Sequence, residues 1–256
     1  MNRTIKTTFL GLCFVVPVRP RTTEECFMRL FINAVAIVAG LMMSAGAQAQ
    51  WTVTNLHPAG ATFSEARAAS GSQQAGWTGV GGIVRASLWS GTAASWVDLS
   101  PAGSTDSVVH AISGSQQAGR ATVGGFSHAS LWSGTAASWV DLNPAGATTS
   151  EARAASGSQQ AGYAFVGGTF RASLWSGTAA SWVDLHPAGV ERSFAVASNG
   201  LQQAGWVQNT ISGDDRASLW SGTAASWVDL HPAAATLSSA LAANGSQQAG
   251  YAQVGG

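Results

Sequence analysis

From Gln50 to its C-terminus this chain has no cysteine and no lysine. Its two cysteines, Cys13 and Cys26, both precede residue 28. The long downstream region therefore cannot rest on a disulfide framework, and it has no thiolate for a metal site. Charge is scarce too. Charged residues are 9% of the chain and hydrophobic ones 46%, which excludes a disordered acidic or basic chain. Downstream of Gln50, seven arginines face seven aspartates and three glutamates, a net charge of −3. Nothing there resembles a basic stripe for nucleic acid. No Gly-rich phosphate loop and no nucleophile-elbow serine is present, so neither an enzyme nor a cofactor is expected.

The one long apolar stretch lies near the start. From Met28 the chain reads MRLFINAVAIVAGLMMSAGAQAQW, with Arg29 as a short positive region and Ala34 to Met43 as an uninterrupted apolar run. Ala47-Gln48-Ala49 fits a small-x-small cleavage site, so residues 28–49 read as a signal peptide cut after Ala49. The apolar core is short for a membrane anchor, which needs roughly 20 residues. Residues 1–27 read as a start codon placed too early, or else as a leader extension. The mature region, 50–256, is expected to be secreted, whether periplasmic, cell-surface or extracellular, with no membrane span.

That region repeats. LWSGTAASWVDL begins at Leu88, Leu131, Leu174 and Leu219, and QQAG begins at Gln73, Gln116, Gln159, Gln202 and Gln247. The period is 43 residues, lengthening once to 45 within WVQNTISGDDRAS. Periods in the forties belong to propellers and solenoids. Each unit holds four strand-sized pieces, taken in the order RASLWS, SWVDL, SFAVAS and QQAGWV. Ser-Gly or Asn-Gly pairs before QQAG predict tight hairpins, Asn-Gly being the type I′ signal. Pro after the SWVDL piece ends its ladder, because Pro has no N–H to donate. SWVDL has apolar residues on both parities, which predicts burial on both faces. The expectation is all-β: a β-propeller-like array of about five four-stranded blades. If Val53–Leu56 is counted as a strand, the total is 19, which leaves the last blade one strand short and points to a truncated chain or a ring closed by a three-stranded blade. Trp89, Trp96, Trp132, Trp139, Trp175, Trp182, Trp220 and Trp227 are assigned to blade contacts. Each buries roughly 200 Å², on the order of 5 kcal/mol gross.

The phrases ASLWSGTAASWVDL and QQAGY..VGG resemble the extracellular HAF-type repeat of bacteria, with Ser127-His128-Ala129-Ser130-Leu131-Trp132 as the nearest match. The Gly doublets at 81–82, 124–125 and 167–168, each followed by a Trp, add a kelch-like cadence. The resemblance covers about 51–256. It implies a propeller-like fold, export and binding surfaces, and no established activity.

Candidate sites follow from what is copied and what is not. His57, His186 and His231 precede Pro where Ser100 and Asn143 stand in other units, which is turn chemistry rather than a metal set. Asp98, Asp141, Asp184 and Asp229 are symmetry copies, better suited to binding a turn's N–H groups than to the asymmetric carboxylate pair a glycosidase needs. Arg85, His128, Arg171 and Arg216 vary at one position and could ring an acidic ligand, with Trp77, Tyr163 and Trp206 as stacking aromatics. Arg67, His110 and Arg153 share another position, replaced by Val196 and Leu241. The competing reading pairs these arginines with acids such as Glu65 and Glu151. The expected function is binding of a surface or environmental glycan, or of a protein partner. A purely structural matrix protein is the alternative, and a propeller carbohydrate-active enzyme using an unrepeated carboxylate such as Asp106 or Glu191 is a more remote one.

Overall fold

Small, alternating residues punctuated by glycine turns produce short antiparallel strands throughout residues 52–255, which the computed structural model describes. The signal-peptide and start-site expectations fall on residues 1–49, outside that range. The first sheet joins β1 (Phe63–Ser70), β2 (Gln73–Val80), β3 (Ile83–Trp89) and β4 (Val97–Asp98) in sequence order. The second repeats it with β5 (Asp106–Ser113), β6 (Gln116–Val123), β7 (Phe126–Trp132) and β8 (Val140–Asp141). The third holds β9 (Ala147–Ser156), β10 (Gln159–Val166), β11 (Thr169–Trp175) and β12 (Val183–Asp184). The fourth holds β13 (Val190–Ser198), β14 (Gln203–Asn209), β15 (Asp215–Trp220) and β16 (Val228–Asp229). A fifth sheet has two strands, β17 (Ala235–Asn244) and β18 (Gln247–Val254).

The result is an all-β, propeller-like array. The first strands of successive sheets, β1, β5, β9, β13 and β17, touch one another and form the inner layer. The two-residue fourth strands lie outermost. Three expectations need correction. The blade does not begin with the ASLW piece; it begins with the Ser-x-Ala piece, because the long connection after the fourth strand crosses to the next sheet. Val53–Leu56 is not a strand, so the described residues contain 18 strands rather than 19. SWVDL is not buried on both faces: Val97, Val140 and Val183 are 36–37% exposed, because the outermost strand has no neighbour beyond it.

Turn chemistry also differs from the Asn-Gly expectation. In the β1–β2 hairpin only Gly71 has positive φ, +57°, the pattern of a type II′ turn with Gly first. Type I′ geometry sits instead at the Gly doublet between β2 and β3, where Gly81 and Gly82 have φ of 64° and 78°. The two extra residues of the fourth unit enlarge this same hairpin, between Asn209 and Asp215.

Blade stacking explains the copied Leu-Trp. Trp132 packs in one buried cluster with Leu88 and Leu99 of the preceding blade. Trp175 meets Leu131 and Leu142, and Trp220 meets Leu174 and Leu185. Adjacent strand residues point to opposite faces, so Leu faces the following blade and Trp the preceding one. A buried hydroxyl also clips each blade to the next. The Ala129 N–H donates to Ser150 Oγ at 2.9 Å, and that hydroxyl donates to Asn143 Oδ1 at 2.6 Å. The same relay runs from Ala172 through Ser193 to His186, and from Ala217 through Ser238 to His231. Burial and the Arg171 charge push the His186 pKa down, which suits an imidazole that accepts from Ser193.

Candidate functional site

The copied phrase is consumed by structure. The second Gln of QQAG accepts the Gly N–H that follows Leu-Trp-Ser: Gln117 Oε1 from Gly134 at 2.8 Å and Gln160 Oε1 from Gly177 at 2.9 Å. Ser138 Oγ donates to the Thr135 carbonyl at 2.6 Å and accepts the Ser133 N–H, closing a 3-10 turn at Ala136–Ser138. Trp139 Nε1 donates to Ser130 Oγ at 2.9 Å. Asp141 Oδ1 accepts the Asn143 N–H at 2.8 Å, and the Asp98, Asp184 and Asp229 copies accept in the same way.

The second oxygen of those aspartates holds the proposed cationic ring. Arg85, Arg171 and Arg216 each lie 2.7 Å from the carboxylate of Asp98, Asp184 or Asp229, and His128 lies 2.8 Å from Asp141. Glu65 and Glu151 pair, as the competing reading expected, with arginines of the other position, Arg67 at 2.7 Å and Arg153 at 3.0 Å, whereas the partners of these four are the blade aspartates. Register also separates them from the aromatics. Trp77 pairs with Ala86 and Thr78 with Arg85, so Trp77 and Arg85 occupy opposite faces of the sheet. Tyr163 and Arg171, and Trp206 and Arg216, are divided in the same way. Within each of these blades the two halves of the sequence-read ring therefore lie on opposite faces.

The structure assembles a different set, centred on the inner strands. Each inner strand carries a bulge opposite the QQAG glycine. A Cβ on Gly162 would fall on the Glu151 carbonyl oxygen, so only glycine permits the strands to approach there. The bulged residues are Arg67, His110 and Arg153, followed by Val196 and Leu241. Bulges re-aim side chains, and these three reach toward a common row. The Arg67 guanidinium lies 4.8 Å over Trp77, and Trp77 meets the edge of the His110 ring at 6.3 Å. His110, from the second blade, contacts the Glu151 carboxylate of the third. Glu151 also receives Arg153 Nε at 3.0 Å and the Tyr163 hydroxyl at 2.5 Å. Tyr163 packs edge-on against Phe194, which stacks on Trp206 at 4.3 Å, and Arg192 lies over Trp206.

Glu151 is buried, and burial by itself would raise its pKa. The His110 hydrogen bond and charge, then the Arg153 charge and the Tyr163 hydroxyl, outweigh burial and bring it down to about 2. Burial and the adjacent Glu151 charge push Tyr163 up to about 12. The row is thus a carboxylate saturated with donors, flanked by arginine-aromatic pairs. Among the described residues no cluster of three or more His, Cys, Asp or Glu side chains has the arrangement to hold a metal. Of the unrepeated carboxylates, Asp106 is engaged by Arg120.

Sequence reading singled out Trp77, Tyr163 and Trp206 in this row but attached them to the wrong arginines. His110 and Arg153 were singled out at one shared position, and Glu151 was named as an arginine's acid, the pair that Arg153 makes; the contact of His110 with Glu151 was not foreseen. Their convergence needed the bulge and the blade-to-blade contact.

The fold and this row define a propeller-like repeat protein with one site that is not copied. No protein-family model matches the chain, and no curated protein matches it. Among solved structures it is similar to TolB from Acinetobacter baumannii, at 12% identity and a TM-score of 0.48. That match covers 64% of this chain and 41% of the TolB chain.

Proposed function

We propose that this chain is an exported binding module that engages its ligand through the variable rim of the array. The observation behind this is the partition of the repeat between two rims. One rim carries the β1–β2 turn and the SGTAAS loop, nearly identical in every unit. The other carries the Gly-doublet hairpins and the start of each inner strand, and variation concentrates there. Arg67, Trp77, Glu151, Arg153, Tyr163, Phe194 and Trp206 also vary from unit to unit, but at mid-strand, below that rim. Paired arginine and aromatic side chains suit an acidic glycan, with bidentate contacts to carboxylate or sulfate and stacking on sugar faces. The state of Glu151 favours binding over catalysis: a carboxylate held as an anion by three donors is a poor general acid, which needs a raised pKa. Export rests on the Arg29, Ala34–Met43 and Ala47-Gln48-Ala49 pattern.

The test is a thermal-shift titration of the chain against acidic and neutral glycans, since a native-state ligand raises the melting point by mass action. A saturable shift with an acidic glycan that is lost in Trp77→Ala and Arg67→Ala, but kept in Arg171→Ala, is expected. A shift unaffected by Trp77→Ala would place the ligand elsewhere. The second reading, a protein partner, draws on the exposed apolar residues of the same rim: Phe126 and Ile211 are 55% and 96% exposed. A glycan panel without any saturable shift would favour it.

A further inference from the structure

The hydroxyl clips between blades are alike in geometry but not in chemistry. We propose that His186 makes the junction between the third and fourth blades acid-sensitive: the clip is closed while the imidazole is neutral and opens when the ring takes up a proton.

Each clip needs an acceptor for a buried serine proton. Ser193 is fully buried. Its oxygen accepts the Ala172 N–H of β11 at 2.8 Å, and its proton goes to His186 Nδ1 at 2.8 Å. Among the described residues the Ser193 hydroxyl has no other hydrogen-bond partner. The far side of the ring fixes the tautomer. At the next junction His231 Nε2 donates to the Ala235 carbonyl at 2.9 Å, and the Val190 carbonyl holds the His186 ring in the same way. Nδ1 is thus left as the acceptor. A second proton turns both ring nitrogens into donors. The Ser193 proton then has no acceptor, and a buried donor left unpaired is costly.

The second and third blades are joined by the same device without the titration. Asn143 Oδ1 accepts the Ser150 proton at 2.6 Å, and Nδ2 donates to the Ala147 carbonyl at 3.1 Å. An amide takes up no proton in this pH range. Between the first and second blades the Ser107 hydroxyl, which accepts the Ala86 N–H, meets Ser100 Oγ at 2.9 Å. The charged groups that face His186 are Arg171 from β11 and Asp184 from β12, paired with each other at 2.7 Å. From β13 the ring meets only the Ser193 hydroxyl and the Val190 carbonyl. Burial and Arg171 hold the pKa below the ordinary 6.5, against the opposing pull of Asp184 and Val190. The stabilisation is therefore complete above pH 6.5 and is lost as pH falls through the lower folded-state value. The Tyr163–Phe194 contact crosses the same junction, which sets the aromatic row beside the acid-sensitive clip.

Native-state hydrogen exchange of the full chain, followed by NMR from pH 7.5 to pH 5 and corrected for the intrinsic pH dependence of exchange, reads each clip separately. In wild type the Ala172 amide is expected to lose about tenfold in protection, while Ala86 and Ala129, held through Ser100 and Asn143, keep theirs. His186→Asn installs the Asn143 chemistry at this junction. The variant is expected to keep Ala172 protected at both pH values, and its urea midpoint is expected to fall less than that of wild type over the same interval. Asn143→His is expected to carry the acid loss to Ala129. Unchanged protection of Ala172 down to pH 5, an equal loss at all three amides, or the same acid loss in His186→Asn would overturn the proposal. If His186→Asn does not fold, the three amides of the wild-type chain decide alone.

Discussion

Replacing Glu151 by Gln removes a charge and keeps the shape. The carboxylate is 8% exposed and receives His110, Arg153 and Tyr163. Its pKa lies at about 2 instead of 4.5. At about 1.4 kcal/mol per pH unit, that gap corresponds to about 3 kcal/mol of folding stability. Because the folded-state pKa is depressed, the contribution is fully present above pH 4.5 and disappears as pH falls toward 2. Urea unfolding of wild type and Glu151→Gln, measured from pH 7 to pH 2, reads it directly. The variant should be less stable by up to about 3 kcal/mol at pH 7, and the two curves should converge near pH 2. Other carboxylates shift both proteins alike, so the difference between the curves is the readout. A variant as stable as wild type at pH 7, or a deficit that persists unchanged to pH 2, would refute the account of this cluster.

Tyr163→Phe tests the same cluster from the alkaline side. The folded-state pKa is raised to about 12, so the hydroxyl's contribution is present below pH 10 and lost as pH climbs toward 12; the Phe variant should lack that loss in a pH series of melts. Gly162→Ala should cost about 3 kcal/mol or more in urea unfolding, because the clash is with backbone rather than with a movable side chain. Ser150→Ala breaks a blade clip and strands the buried Ala129 N–H, which should cost about 1–3 kcal/mol. Arg171→Ala removes a partly exposed ion pair with Asp184 and should change stability by less than about 1 kcal/mol.

Several features were legible from residues alone. Period 43 announced a repeat of four short strands because every unit must satisfy the same packing. The Trp and Leu of LWSGTAASWVDL meet identical neighbours in each blade, so their recurrence is structural, and the Asp copies were correctly suspected of binding turn N–H groups. The blade boundary was not legible. SWVDL looks like the start or the middle of a sheet until the serine clip and the crossing after Pro show that it is the last strand. The Asn-Gly turns were misread because only their glycines, Gly200 and Gly245, take positive φ, while the Gly doublet takes the type I′ conformation.

By itself the sequence determined the class of fold, the repeat and its copied contacts, since periodicity, turn residues and side-chain volume act locally and recur at every unit. Only the tertiary structure decided where the unrepeated side chains meet. His110 and Glu151 lie 41 residues apart on different blades, and a bulge, invisible in the letters, turns one toward the other. Strand parity likewise sent Arg85, Arg171 and Arg216 to the face opposite Trp77, Tyr163 and Trp206, because a single step along a strand reverses the direction of a side chain.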